Sequence, residues 1–490
     1  IFILLGFYRK SGARTPETTH RLARIRGPVQ APSSRPHSRL RAAVIHVWVR
    51  QAAQSMQGLP RPHRLAGLHS SAHMISYDEA LTRIAAALSP AEPTSSPTIE
   101  ALDQVTSQAV HSRMDVPDFD NTAMDGIAVR SADMASASAD SPVEVSVTGT
   151  VAAGEQPGLV LEPQTAVEIM TGAPLPVGAD AVIPIERITM TEPGPAHRRA
   201  SVTTAPDAGA NVRRAGEDIR RGDLLLAPGT QLTPESVMNL SAAGVDSVDV
   251  HPMPRVAVIT TGRELASAGS PSGTGMIRDS NGPYLAAALP MMGAHLAGQR
   301  SASDELSGIV ATIRDAMDEA RIIVTTGGVS AGRFDCVPAA VTELGGEILF
   351  HKVAIRPGKP VLFARLPDDR WLFGLPGNPV AVAVGLRFFV APALRALRGL
   401  APEQLMAAQT TQPIGKRAGL RFFGKANAQL NASGQLQVSL LTGQESFRIQ
   451  PLLRANCWAV VKEGLEQVPA GDVIQIAPLF PTRFLQPMSD

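Results

Sequence analysis

The chain has 490 residues, 44% of them hydrophobic, with 42 glycines and 40 prolines. That length exceeds what one core can serve and predicts about three or four domains of a globular protein. Its two cysteines, Cys336 and Cys457, show no CxxC or Cys/His spacing, which argues against a disulfide framework or structural zinc and favours a reducing, cytoplasmic setting. The formal net charge of +1 conceals an asymmetry, since residues 1–73 hold 12 Lys and Arg against Glu17 alone, leaving 33 bases and 43 acids in residues 74–490.

The leader is basic and acid-poor as a transit peptide is, and IFILLGF has the character of a secretion signal. However, the sequence starts at Ile1, shows no sustained periodicity before residue 74, and places Met74 directly before ISYDEALTRIAAAL. Residues 1–73 are therefore expected to be disordered or a spurious extension from an upstream start. No apolar run reaches bilayer length, and neither a membrane nor a nucleic acid is expected as a partner.

Ile75, Leu81, Ile84 and Leu88 recur at helical spacing in the first element. The Pro-, Ser- and Thr-rich stretch 90–97 reads as a linker, after which IEALDQVTSQAV at 99–110 resumes an apolar pattern. Short β-rich runs broken by Gly and Pro predict a small inserted β domain over 113–207. Within 208–252 a strand leads through Thr233-Pro234 into a helix ending at Gly244, and this segment pairs with 94–112 as a discontinuous linking domain. From 253 to 400 strands and helices alternate, which predicts a central parallel α/β sheet covered on both faces, with ligands outside the carboxyl ends of its strands. Residues 401–490 return to short β runs and should form a C-terminal β barrel.

Three runs carry the chemistry. TTGGVSAGRFD at 325–335 leaves an apolar strand and enters a loop in which Gly327, Gly328 and Gly332 let the backbone approach a ligand and present N–H groups to an oxyanion. HKVAIRPGKPVLF at 351–363 places Lys352, Arg356 and Lys359 around a proline-stiffened turn, and FGLPGNPVA at 373–381 puts Pro376, Gly377 and Asn378 before a helix. A phosphorylated or oxyanionic substrate follows from three cations beside such a loop. The Walker and GxGxxG patterns are missing, which argues against P-loop hydrolysis and ordinary dinucleotide binding. Asp335 and Asp279 are candidate Mg²⁺ ligands that also stand where helix caps belong. Glu264 in TTGRELA occupies the corresponding loop after the first sheet strand. Asp125 in VPDFDNTAMDGIAVR and Thr171 in MTGAPLPVGAD are either loop residues or groups aimed into a cleft.

In order, DNTAMDGIA, IMTGAPLP, NVRRAGEDI, TTGRELA, IRDSNGPYL, TTGGVSAGRFD, KVAIRPGKP and GLPGNPV resemble the molybdopterin molybdenumtransferases, the MoeA family that includes the gephyrin E domain. The resemblance spans about 75–485. It implies a transferase that inserts molybdenum from molybdate into adenylylated molybdopterin and releases AMP, with Mg²⁺ as cofactor. It also implies a homodimer of four-domain subunits whose cleft lies between the sheet domain of one subunit and the inserted β domain of its partner. The first helix, 75–92, then joins the sheet domain 253–400. Molybdopterin adenylyltransferase and recipient molybdoenzymes become the expected partners.

By position, Asp125, Thr171, Glu264, Asp335, Lys352 and Ser446 match residues that the family uses for activity or ligand binding. Asp125, Thr171, Glu264, Lys352 and Arg356 make the expected catalytic set and Asp335 and Asp279 the expected metal ligands, while Gly327, Gly328, Ser330, Lys359, Pro376, Gly377, Asn378 and Ser446 are expected against substrate. Arg356 stands where many relatives have lysine, Arg263 replaces a common aspartate, and Arg333 replaces a residue that is often acidic. The paired acids usual after the second sheet strand are missing from RSASDEL, where Ala302 fills one place. Two other functions compete. An adenylyltransferase for molybdopterin shares the sheet domain, but the inserted β domain and DNTAMDGIA argue against it. A non-catalytic scaffold, as gephyrin relatives provide, is disfavoured because the sequence contains no fused second enzyme domain or long linker.

Overall fold

The structure, a computed structural model, describes residues 74–155, 158–191, 198–266, 274–329 and 336–481. The 1–73 extension and the loop residues Ser330, Gly332, Arg333 and Asp335 lie outside the described residues.

The central sheet holds six strands: β1 (Arg255–Thr261), β2 (His295–Ala302), β3 (Ile322–Thr326), β4 (Glu347–His351), β5 (Leu362–Leu366) and β6 (Arg370–Leu375). Their order is β2-β1-β3-β6-β5-β4. The pairs β1–β2, β1–β3 and β3–β6 are parallel, whereas β5 runs antiparallel to both β6 and β4. The sheet is therefore not wholly parallel, as the alternating pattern predicts. Parallel neighbours need a long crossover, but β5 and β6 are joined by three residues. Asp368 and Asp369 take φ of 58° and 54°, and the Arg370 N–H donates to the Pro367 carbonyl at 3.2 Å, the geometry of a tight hairpin turn.

Side chains alternate across this sheet. Val256, Val258, Val324, Phe363 and Phe373 face a core shared with helices Tyr77–Ala87 and Asn281–Ala288 and the long helical segment from Pro379 to Leu397. Ala257, Ile259, Ile323, Leu362 and Leu372 face the other core, closed by helices Leu306–Met317 and Val337–Glu343. The segment Pro379–Leu397 is, at 19 residues, apolar enough to cross a bilayer, contrary to the sequence reading, yet 83% of its apolar window is buried inside the protein. It is largely apolar because it is surrounded, and its buried Arg387 is satisfied by the Pro478 carbonyl and Glu403.

Five strands, Arg421–Leu430, Leu436–Leu440, Met406–Thr410, Val473–Pro478 and Cys457–Val461, pair in sequence and close back on the first as a barrel. Its interior includes Cys457, whose thiol burial pushes up to about 12. Cys336 is likewise a free thiol. A separate six-stranded sheet runs in the order Ala181–Pro184, Gly126–Val129, Thr165–Ile169, Val143–Val151, Arg199–Val202, Ile188–Thr191.

Strand Ser247–His251 pairs with both Thr94–Pro97 and Val105–Thr106. The stretch read as a linker thus contains an edge strand, where proline is tolerated because its missing N–H faces away from the ladder. Helix Pro234–Ala242 starts as the sequence predicts: Thr233 caps it, Pro234 occupies the first turn, and Gly244 follows at φ 71°.

Arg421 ties three parts together. It donates to both Asp78 oxygens at 2.7 and 2.9 Å, bonds Glu463 at 2.8 Å, and stands 4.7 Å over the Tyr77 ring. Its side chain is 8% exposed against 70% for Asp78, so one end of each pair stays in water and the gain is modest. Arg421→Met is expected to cost about 1–3 kcal/mol, measured as a lower denaturation midpoint. An unchanged midpoint would show that the first helix is held by its apolar face alone.

Candidate active-site cleft

The ends of β1, β3 and β6 are laced together at one edge of the central sheet. The Asn281 side-chain amide donates to the Thr326 hydroxyl at 3.0 Å and to the Gly377 carbonyl at 2.8 Å. The Thr261 hydroxyl donates to the Thr326 carbonyl at 3.3 Å. Gly327, at φ 91°, donates its N–H to the Leu375 carbonyl at 3.0 Å, and a Cβ there would lie 2.6 Å from the Thr261 carbonyl oxygen. Its glycine is required by loop-on-loop packing, and its N–H is already used. The expectation that this N–H is presented to an oxyanion is therefore corrected.

Above this knot lies a cleft of about 1090 Å³. The sequence-predicted residues Glu264, Asp279, Gly327, Gly328, Arg356, Lys359, Pro376, Gly377, Asn378 and Ser446 all line it. The cleft extends beyond the sheet to the barrel, because Ile355–Arg356 leaves the sheet region and pairs with Arg421 and Phe422. Ser446 is brought in through its carbonyl, which accepts the Val380 N–H at 3.0 Å at the start of the long core helix.

Lys352 is not among the lining residues. Its backbone closes the cationic turn instead: its N–H donates to the Val361 carbonyl at 3.0 Å, its carbonyl accepts the Ile75 N–H at 3.2 Å, and its φ is 81°. The expected convergence of three cations in this turn reduces to two lining residues, Arg356 and Lys359. A third comes from Arg278, which sequence reasoning missed although it adjoins Asp279 within IRDSNGPYL. Gln444 and Phe447 were also missed, since nothing in a β-barrel loop signals a cleft.

The charges divide clearly. Arg263 turns to Asp304, its N–H bonding Oδ2 at 2.8 Å and its guanidinium 3.7 Å away, while Glu445 pairs with Arg448 at 3.1 Å. Arg278, Arg356 and Lys359 form no ion pair among the described residues. Asp279 caps helix Asn281–Ala288, one oxygen accepting the N–H groups of Asn281 and Gly282 at 2.9 and 3.0 Å. Its other oxygen lies on the Gly282 side, 2.6 Å from where a Cβ would stand, and Glu264 folds back over Gly262. The cap reading of Asp279 has its basis in one oxygen, and the residue also lines the cleft. Among the described residues no three His, Cys, Asp or Glu side chains gather into a metal site.

Asp125 and Thr171 are brought together, but elsewhere. The Thr171 hydroxyl and N–H both donate to one Asp125 oxygen at 2.6 Å, on the separate six-stranded sheet, and neither residue lines the cleft. The hydroxyl bond first, then the backbone bond, hold the Asp125 carboxyl below the usual aspartate range. Asp120 nearby is a structural partner, bound to Arg214 at 2.6 Å.

Comparison with known proteins covers nearly all of the described chain. Residues 75–244 match the MoeA N-terminal region (domain I and II), 257–396 a probable molybdopterin binding domain, and 407–479 the MoeA C-terminal region (domain IV). The molybdopterin molybdenumtransferase of Synechococcus elongatus is 36% identical over 387 residues, covering 78% of this chain and 94% of the relative. That of Haemophilus influenzae is 33% identical over 382 residues, covering 77% and 92%. Two solved structures of the molybdopterin biosynthesis MoeA protein from Pyrococcus horikoshii superpose with TM-scores of 0.70 and 0.69 at 28% and 27% identity. They cover 83% and 82% of this chain and 99% of their own.

Thr171→Val should raise the Asp125 pKa partway, because the backbone donor remains. Since the folded pKa is depressed, the stabilisation is full above the ordinary aspartate range and is lost as pH falls through the folded value. NMR titration of the Asp125 carboxyl carbon reads the shift, and an unmoved titration would exclude the hydroxyl as its cause.

Proposed function

The chain belongs to the molybdopterin molybdenumtransferase family, transferases of molybdenum cofactor biosynthesis, and from that premise we propose that it takes adenylylated molybdopterin and molybdate, inserts molybdenum into the dithiolene, and releases AMP. The observation that carries this reading is the cleft itself, which Arg356 and Lys359, in no ion pair among the described residues, line together with Glu264 and Asp279. Both substrates are anions, and the adenylylated one carries a phosphoanhydride.

The assigned roles follow from charge and placement. Arg356 and Lys359 bind the phosphate and molybdate oxygens, and Arg356 offers a planar fork that suits two oxygens at once. Pro376, Gly377 and Asn378 shape the wall with Gly327 and Gly328, Ser446 lies at the barrel side, and Ser330 is assigned to substrate from the sequence. Lys352 positions the Arg356–Lys359 turn through its backbone. Holding two anions together in a fixed geometry supplies the main acceleration, because the protein itself has little covalent chemistry to perform. Glu264 and Asp279 line the cleft, and Mg²⁺ commonly takes one or two carboxylates and completes its shell with water and substrate phosphates. Asp279 and Asp335 would hold it, with Glu264 orienting substrate, and when bound it would neutralise charge on the phosphoanhydride.

Asp125 and Thr171 stand at the ends of strands of a sheet from which no described residue lines the cleft of the same chain. We assign them to the cleft of a partner subunit in a cytoplasmic homodimer, where they close over the bound substrate. Molybdopterin adenylyltransferase would supply the substrate, and molybdoenzymes would receive the product.

The test is AMP release from adenylylated molybdopterin with Mg²⁺ present and molybdate supplied or withheld. Molybdate-dependent release is expected, and Arg356→Ala or Lys359→Ala should slow it by about 10²-fold. Release indifferent to molybdate would overturn the assignment. Mixing Asp125→Ala subunits with Arg356→Ala subunits should restore part of the lost activity, since some mixed dimers regain one intact cleft. No restoration would confine Asp125 to its own subunit or to structure.

A further inference from the structure

Phe447 is the one aromatic side chain among the described residues lining the cleft, and it is 64% exposed. A single exposed phenylalanine is ordinary on a surface. This one differs because the backbone around it is fixed from three sides. The Ser446 carbonyl accepts the Val380 N–H at 3.0 Å. The carbonyls of Glu445 and Arg448 both accept from the Lys425 ammonium, at 3.2 and 2.9 Å. Gln444 exchanges bonds with the Lys425 backbone at 2.9 and 2.8 Å and reaches the Leu441 carbonyl at 2.7 Å.

Lys425 is 0% exposed, and its ammonium bonds to neutral carbonyls. Burial pushes its pKa down, so the charged form is held there at a cost. A costly buried cation thus holds a short turn whose apolar side chain is left in the open. The Arg448 guanidinium stands 5.6 Å from the centre of the Phe447 ring, occupying the neighbourhood of one face. A rigid backbone bearing an open aromatic ring in a cleft of charged groups is pre-organised for a flat partner.

We propose that Phe447 is a stacking platform for the planar nitrogen heterocycle of the substrate, whose phosphate is held by Arg356 and Lys359. This deepens the reading given above and rests on it. The heterocycle is either the adenine or the pterin, since both present a π face to the ring. Phe447 is a positioning residue, setting which group the anion site accepts.

The full chain is titrated calorimetrically with AMP, with 6-hydroxymethylpterin phosphate and with ribose 5-phosphate, which keeps the phosphate and lacks the ring. Phe447→Ala should weaken binding of one ring-bearing probe by about 5- to 150-fold and leave ribose 5-phosphate unchanged. Phe447→Trp should retain affinity for that same probe. The weakened probe identifies the ring as adenine or pterin. Equal weakening of all three probes would show a structural effect on the anion site, and no weakening with either ring would remove the stack. A change in mass by light scattering on Phe447→Ala would assign the ring to a contact between copies, also overturning the proposal. Should wild type bind none of the probes and release no AMP, the reading of the cleft fails first and the stack with it.

Discussion

The cleft depends on one short piece of chain leaving the central sheet. Between β4 and β5 the backbone does not turn back directly; it passes through Ile355 and Arg356, which pair with Arg421 and Phe422 at the edge of the barrel. That pairing joins the sheet region to the barrel, and Arg356, Lys359 and the Gln444–Phe447 turn line the same cleft as the knotted strand ends. Arg421, one residue of the same pairing, is the guanidinium that clamps Asp78 and Glu463. The first helix, the barrel and the cationic turn therefore share a single anchor. A disturbance there would reach the cleft without touching any of its lining side chains.

A second constraint is electrostatic. A wholly basic cleft would bind two anions but leave a divalent cation no ligands, and a wholly acidic one would repel both of the substrates proposed above. The observed cleft avoids both by pairing off some of its charges. Asp304 is taken by Arg263 and Glu445 by Arg448, while Arg278, Arg356 and Lys359 form no ion pair among the described residues and line the cleft with Glu264 and Asp279. The arginine at 263, which replaces a common aspartate of the family, stands 3.7 Å from Asp304. The result suits an anion and its counter-cation together.

The sequence made the α/β core legible because period and turn chemistry agree there. Alternating apolar runs, Gly- and Pro-marked loop starts and the Thr233-Pro234 helix start all point one way, and the loops carrying Glu264, Gly327 and Pro376 fall at one sheet edge as a doubly wound sheet requires. What was not legible depended on partners distant in sequence. Strand Thr94–Pro97 exists because Ser247–His251 offers it a ladder, and its own composition reads as linker. The reversal of β5 follows from two aspartates at positive φ, residues that tolerate that region without announcing it as glycine does. Gly327 was read as an open cradle because a φ above zero looks alike in sequence whether the close neighbour is a ligand or, as here, Thr261. Phe447 carries no motif at all; its meaning comes from Lys425, more than twenty residues earlier.

The Asp125–Thr171 pair shows the same division between local and distant causes. Locally it is over-determined. Gly126 must be glycine, since a Cβ would lie 2.0 Å from the Ile183 carbonyl oxygen, and that tight strand contact fixes where the preceding carboxylate emerges. Two donors from Thr171 then keep it ionised. Met124 and Met170, the residues preceding each member of the pair, are both exposed. In the homodimer proposed above, a carboxylate fixed this firmly, flanked by exposed methionines and outside the lining of its own chain's cleft, would face the second subunit. A soluble ligand alone would leave the two apolar side chains in water, whereas a second subunit would cover them and supply the carboxylate to a bound substrate in one step. That economy is the physical case for placing the pair across a dimer interface, and it stands apart from the identity of the anions in the cleft.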